Sequence, residues 1–188
     1  MEKKSKKEIR LTLIVILLLI GINSYGQYRS GFIVNNTGDT IQCEILLPNY
    51  LNGQVNYSTL TKRIAIKTND GSKRKYKPTE ISSAEIKISE SETLRFVSIP
   101  EDRKRFFQEH EVGRLSYFTL HINNSGFPAP ILRKDGKLTY LNVVNKMKKV
   151  ENLISDYPEL CDEWKTDKYN FTELREVVKL YNKHFELK

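Results

Sequence analysis

Along residues 31–141, short apolar runs alternate with polar positions, and turn-forming residues punctuate them. The stretch GFIVNNTGDTIQCEIL, residues 31–46, sets the pattern. Phe32, Ile33 and Val34 form one short run. Asn35, Asn36, Thr37, Gly38 and Asp39 then supply residues that accept positive φ or bond their own backbone. Ile41, Cys43 and Ile45 alternate with Thr40, Gln42 and Glu44, so the first set faces a core and the second faces water. A hairpin satisfies the whole stretch. Asp39 has no His or Ser beside it in sequence that would make it part of a catalytic group.

The pattern continues in kind. Asn52-Gly53 is a turn signal. Ile64 and Ile66 mark a strand, residues 69–71 turn the chain, and residues 73–77 lead back to Pro78, which cannot donate to a ladder. Ile86 and Ile88 mark another strand, and the next runs from Leu94 to Ile99 before Pro100. Residues 106–111 and 115–122 flank a Val112-Gly113-Arg114 turn. Residues 130–133 and 137–141 flank Asp135-Gly136, the strongest hairpin signal in the chain. About nine or ten short strands at this spacing predict a sandwich, roll or open barrel of antiparallel strands.

After Asn145 the period changes from two to that of a helix. Met147, Val150, Leu153 and Ile154 share one helical face. Pro158 opens a second helix, where its missing N–H costs nothing, with Leu160 and Trp164 facing inward. Asn170, with Glu173 three residues on, caps a third. Its stripe of Leu174, Val177, Val178, Tyr181 and Phe185 packs on the parent domain or on a partner, and most such stripes are buried at home. The expected class is α+β: mainly antiparallel β in residues 27–145, with a C-terminal cap of about three helices in residues 146–188.

The N-terminus adds an address. Lys3, Lys4, Lys6, Lys7 and Arg10 precede the apolar run LTLIVILLLI, and Ser24 and Gly26 stand at −3 and −1 of a cut before Gln27. This is the layout of a secretory signal peptide over residues 1–26, leaving one exported domain over residues 27–188. The alternative is a retained inner-membrane anchor at residues 11–22, but a span needs roughly 20 apolar residues and this run fades at Asn23. The expected location is the periplasm or the cell surface.

Export changes how the rest is read. The exported part carries 26 basic and 21 acidic residues, a net charge of +5 that suits an anionic partner or simply a solvated surface. Nucleic acid drops out of the expected partners. Cys43 and Cys161 enter an oxidising compartment, where they either form one disulfide or remain two separate buried thiols. The densest basic run, SKRKYKP, places Lys73, Arg74, Lys75 and Lys77 around Tyr76. It reads as a contact for anionic glycan or lipid headgroups, or as a charged edge strand that blocks aggregation. Asn35, Asn56, Asn123 and Asn170 begin N-x-S/T triplets, and Asp39-Thr40-Ile41 has the form of a short O-glycosylation signal.

Several motifs taken in order resemble one group of proteins. They are G-F-I-V…G-D-T-I (31–41), Y-K-P-T-E-I (76–81), F-V-S-I-P (96–100), F-F…V-G-R-L-S-Y (106–117), L-R-K-D-G-K-L (132–138), L-I-S-D-Y-P-E-L (153–160) and V-V-K-L-Y-N (177–182). The pattern resembles a broad group of uncharacterised exported, β-rich proteins of Bacteroidota-type bacteria. The resemblance implies compartment and architecture and supplies no catalytic residue. The chain departs from the group's pattern at Cys43, where Gly is expected, and at Tyr157, where Cys is expected.

Catalytic and metal motifs are scarce. The histidines are His110, His121 and His184, and neither G-x-S-x-G nor H-E-x-x-H occurs. Glu109, His110 and Glu111 are adjacent, but strand alternation points His110 away from the two acids. No sequence motif calls for a cofactor. The expectation is a non-enzymatic binding or structural module of the envelope, meeting an envelope protein or an anionic glycan or headgroup. The alternative is an envelope hydrolase assembled from separated residues such as His110, His121 and Cys161, which requires a shared pocket with a carboxylate.

Overall fold

The computed structural model describes residues 26–186 except 51, 123–127, 143 and 167. The proposed signal segment, residues 1–25 of it, and Asn123 therefore lie outside the described residues. The chain folds as β1 (Gln27–Asn35), β2 (Thr40–Leu47), α1 (Tyr57–Lys62), β3 (Ile64–Lys67), β4 (Lys73–Tyr76), β5 (Ile81–Lys87), β6 (Thr93–Ile99), β7 (Asp102–Glu111), β8 (Leu115–Leu120), β9 (Ala129–Lys134) and β10 (Lys137–Tyr140). Three C-terminal helices follow: α2 (Lys146–Ile154), α3 (Pro158–Lys165) and, after a 3-10 turn at Phe171–Glu173, α4 (Leu174–Glu186). The class is α+β, as the change of period predicts.

The ten strands form one open sheet in the order β10-β9-β8-β7-β6-β5-β1-β2-β3-β4. Every pair is antiparallel, so the sheet is two meanders of hairpins joined at the β1–β5 seam. Gly31 sits on that seam opposite Ile86, and a Cβ there would lie 2.0 Å from the Glu85 carbonyl oxygen. Only glycine lets β1 approach β5 this closely.

The turns form where local chemistry dictates. Asp135 at φ 50° and Gly136 at φ 72° give the tight β9–β10 hairpin its left-handed residues. At the β1–β2 turn, Asn35 Oδ1 accepts from the Thr37 and Asp39 N–H groups at 2.9 and 2.8 Å, and Gly38 takes φ 92°. Pro158 occupies the first turn of α3. Asn170 and Glu173 complete the capping box before α4: Thr172 N–H donates to Asn170 Oδ1 at 2.8 Å and Asn170 N–H to Glu173 Oε2 at 2.9 Å.

Two cores lie on the inner face of the sheet. At one end β2–β4 and α1 close over it, burying Ile33, Ile45, Leu60, Ile66, Phe96 and Phe106. At the other end the helices pack on Leu115 and Leu132 through Val150, Trp164, Val177 and Tyr181. The stripe on α4 is thus buried at home. A third cluster, with Val97, Phe107, Phe118 and Ile131, occupies the opposite face of β6–β9. The central strands bury both faces, which is why Phe106-Phe107 and LSYFTL do not alternate cleanly.

Candidate functional site

Between the two inner cores the sheet carries a polar seam. His121, just past β8, sits 2.7 Å from Gln108 Oε1 through Nε2, and its ring lies 4.8 Å from that of Tyr57 on α1. His110 meets Thr119 Oγ1 at 2.8 Å through Nε2 and stacks on Tyr117 at 4.9 Å. Burial lowers the pKa of His121. Burial, reinforced by the nearby Arg175 and His121, brings His110 down to about 4. Both rings are neutral near pH 7 and are satisfied by neutral partners.

Alternation separates His110 from Glu109 as expected, but the β7–β8 bulge sets Glu111 opposite Tyr117, on the side of the sheet where the His110 ring lies. Glu109 turns to Arg95 at 3.2 Å, and Glu111, beyond a bulge, turns to Arg175 at 2.6 Å. No group of three or more His, Cys, Asp or Glu that could hold a metal occurs among the described residues.

At one end of this seam a cleft of about 360 Å³ opens between α1, β7 and β8. Thr61 Oγ1 lies 2.9 Å from the carbonyl oxygens of both Ser58 and His121, which pins α1 to the end of β8. The walls are Thr61 and Lys62 from α1, Lys104 and Arg105 from β7, and Leu120, His121 and Ile122 beyond. The Arg105 guanidinium is already engaged: Nε and Nη2 donate to Asp102 Oδ2 at 3.1 and 2.6 Å. Tyr140 OH donates to the same oxygen at 3.2 Å. Burial would raise the Asp102 pKa, but the Lys104 N–H and the Arg105 charge hold it below the usual carboxylate value. Among the described residues no carboxylate lines the cleft that holds His121.

The basic run lies elsewhere, on β4, the edge strand of the sheet. Lys73, Lys75 and Lys77 are exposed. Register sets Lys67 directly opposite Lys73 and Ala65 opposite Lys75, so Lys67, Lys73 and Lys75 share the outward face. The Tyr28 ring sits 5.9 Å from both Lys67 Nζ and Lys73 Nζ. Glu44 pairs with Lys67 at 3.0 Å. Arg74 points to the other side, with its guanidinium 4.6 Å from the Tyr76 ring centroid and 4.0 Å from Glu80. Lys77 donates its backbone N–H to Glu80 at 2.7 Å. The four residues of the basic run therefore do not act as one patch.

The two cysteines are not brought together. Cys43 is buried in the core under β2–β4 and Cys161 in the helical core, and both thiols are free. They are the separate buried thiols of the second expectation, and the Cys43–Cys161 bridge does not form because each sulfur packs into a different cluster. Burial pushes the Cys43 thiol up.

The cleft depends on α1, which the sequence reading missed. A helix of six residues makes less than two turns and shows no stripe. The local signal is Asn56 before Tyr57 and Ser58: its Oδ1 accepts from Ser58 Oγ at 2.6 Å at the helix start.

No protein-family model matches the chain, and neither the curated proteins nor the solved structures contain a match to it.

Proposed function

We propose that the protein is an exported, non-enzymatic binding module of the cell envelope, which meets an anionic glycan or lipid headgroup through the outward face of the β3–β4 hairpin. The observation that carries this reading is the like-charge pair Lys67 and Lys73, set directly opposite each other with Lys75 two residues on. Like charges facing each other across strands are destabilising. Protection of an edge needs lysines along one strand but not a matching lysine across from them. Glu44 offsets only Lys67, at 3.0 Å, so Lys73 and Lys75 keep their charge on this face, and an anionic partner relieves the remaining repulsion and turns it into affinity.

Alternation spaces Lys73 and Lys75 about 7 Å apart along the strand, and Tyr28 adds an amphipathic ring beside them. The basic head and apolar run of residues 1–26 favour export as the route by which this face reaches the envelope.

The test is co-sedimentation of the purified protein with vesicles rich in phosphatidylglycerol and, separately, retention on immobilised polygalacturonate. Each is compared with neutral vesicles or neutral dextran across a salt series. Binding to an anionic matrix that weakens with salt, and weakens further in the Lys73→Glu/Lys75→Glu variant, supports the reading. Equal behaviour of that variant and the native protein on both matrices overturns it.

A further inference from the structure

We propose that the cleft between α1, β7 and the end of β8 is a second binding site, for a small anionic amphiphile: a medium-chain carboxylate whose head rests on Lys62 and Lys104 and whose tail lies over Leu120 and Ile122. The assignment follows from which wall groups are committed and which are not. Arg105 is held by Asp102. The Thr61 hydroxyl is shared between the Ser58 and His121 carbonyls. The His121 ring is neutral and engaged by Gln108 and Tyr57.

Lys62 and Lys104 remain. Among the described residues neither has a carboxylate within ion-pair distance, although twelve such pairs occur elsewhere. Two lysines on different elements, both lining one opening, attract a single anion.

Among the described residues the rest of the wall is apolar. Leu120 is buried, while Ile122 is 52% exposed and offers its side chain to the opening. A ligand that satisfies the site is therefore charged at one end and apolar at the other. A volume of about 360 Å³ falls within the range of small-molecule sites and leaves room for a chain rather than for a bare ion. The lysine ammoniums act as point charges, and no bidentate fork is free to select a planar dianion.

This site is separate from the β3–β4 face, and its test keeps the two apart. Sodium decanoate is titrated into the full chain below its micellar concentration, followed by calorimetry and by the methyl resonances of Leu120 and Ile122. Acetate and decyltrimethylammonium serve as head-only and opposite-charge probes. The expected result is saturable one-to-one binding of decanoate that shifts those methyl signals, with little binding of either control. Lys62→Glu and Lys104→Glu each weaken it about tenfold, the equivalent of one lost ion pair. Ile122→Ser, at an exposed position that leaves folding intact, also weakens it. Lys73→Glu/Lys75→Glu leaves it unchanged even if that variant abolishes binding to anionic matrices. Failure of decanoate to saturate, equal binding of decyltrimethylammonium, or indifference to both cleft lysines would each overturn the proposal.

Discussion

Asn182 on α4 grips Leu115 on β8 from both sides: its Oδ1 accepts the Leu115 N–H at 2.9 Å and its Nδ2 donates to the Leu115 carbonyl at 2.8 Å. A side-chain amide thus does for the start of β8 what a neighbouring strand would do, next to the bulge where β7 and β8 lose register. Gly113 makes this possible, because a Cβ there would lie 2.4 Å from Asn182 Cγ.

Asn182→Ala leaves two buried backbone groups unpaired and should cost about 3 kcal/mol in urea unfolding. Gly113→Ala should cost about 2 kcal/mol by collision with the amide. The two are coupled: in the Asn182→Ala background the Gly113→Ala cost should fall to roughly 1 kcal/mol or less. Additive costs would mean the glycine serves some other purpose.

Stability should respond to mild acid through His110. Its unfolded value is 6.5 and its folded value about 4, so between these the unfolded chain binds the extra proton. The contribution is full above pH 6.5 and is lost as pH falls toward 4. Because the ring keeps some contact with solvent, the loss should be on the order of 2 kcal/mol. Denaturation midpoints at pH 7.5 and pH 5 measure it, and His110→Gln should reduce the difference, leaving the part that His121, also lowered by burial, supplies.

A second loss should begin only below the carboxylate range. Asp156 takes Lys134 at 2.9 Å, Tyr181 OH at 2.9 Å and Arg114 at 3.1 Å. Burial would raise its pKa, yet Lys134 and the Tyr181 hydroxyl hold it below 3.8. Its contribution is full above the unfolded value of 3.8 and is lost as pH falls from there through the lower folded value. Asp156→Asn should cost about 1–2 kcal/mol at pH 7 and nothing further at pH 3. The same comparison on Tyr181→Phe would show whether the hydroxyl or the lysine matters more.

Lys73→Glu should stabilise the fold while weakening its attachment to anions. Replacing the like charge across from Lys67 by an opposite one should gain about 0.5 kcal/mol at low ionic strength and little at high salt. A thermal-melt series in salt checks this. A destabilised variant would show that Lys73 holds the edge strand rather than a ligand.

Neither cysteine should react with iodoacetamide in the folded protein, and both should react after unfolding, read as added mass. Cys43 is doubly protected, since burial hides the sulfur and also raises its pKa.

The strands were legible where one face is wet, as in Thr40–Leu47, because period two then survives in the sequence. The change to a helical face at Met147 and the Asn170–Glu173 cap were equally plain. Where both faces are buried, as in Leu115–Leu120, composition still marked a strand but gave no facing. The basic run was visible, yet its true partner, Lys67, comes from another strand, and Arg74 leaves the face by alternation. Register across a hairpin is a three-dimensional fact. The cleft was hidden for the same reason: its lysines are about forty residues apart and meet only because a six-residue helix lodges against β7.

The β1–β5 seam also sets a timetable. Every other strand pair joins strands consecutive in the chain, even where α1 lies between β2 and β3, whereas Gly31 must wait for Ile86 before the halves can zip together. Hairpins form in microseconds, and distant pairings pay the loop entropy first. Docking of β5 beside β1 is therefore the step expected to come late, and Gly31→Ala should slow refolding in stopped-flow mixing more than a comparable change within a single hairpin.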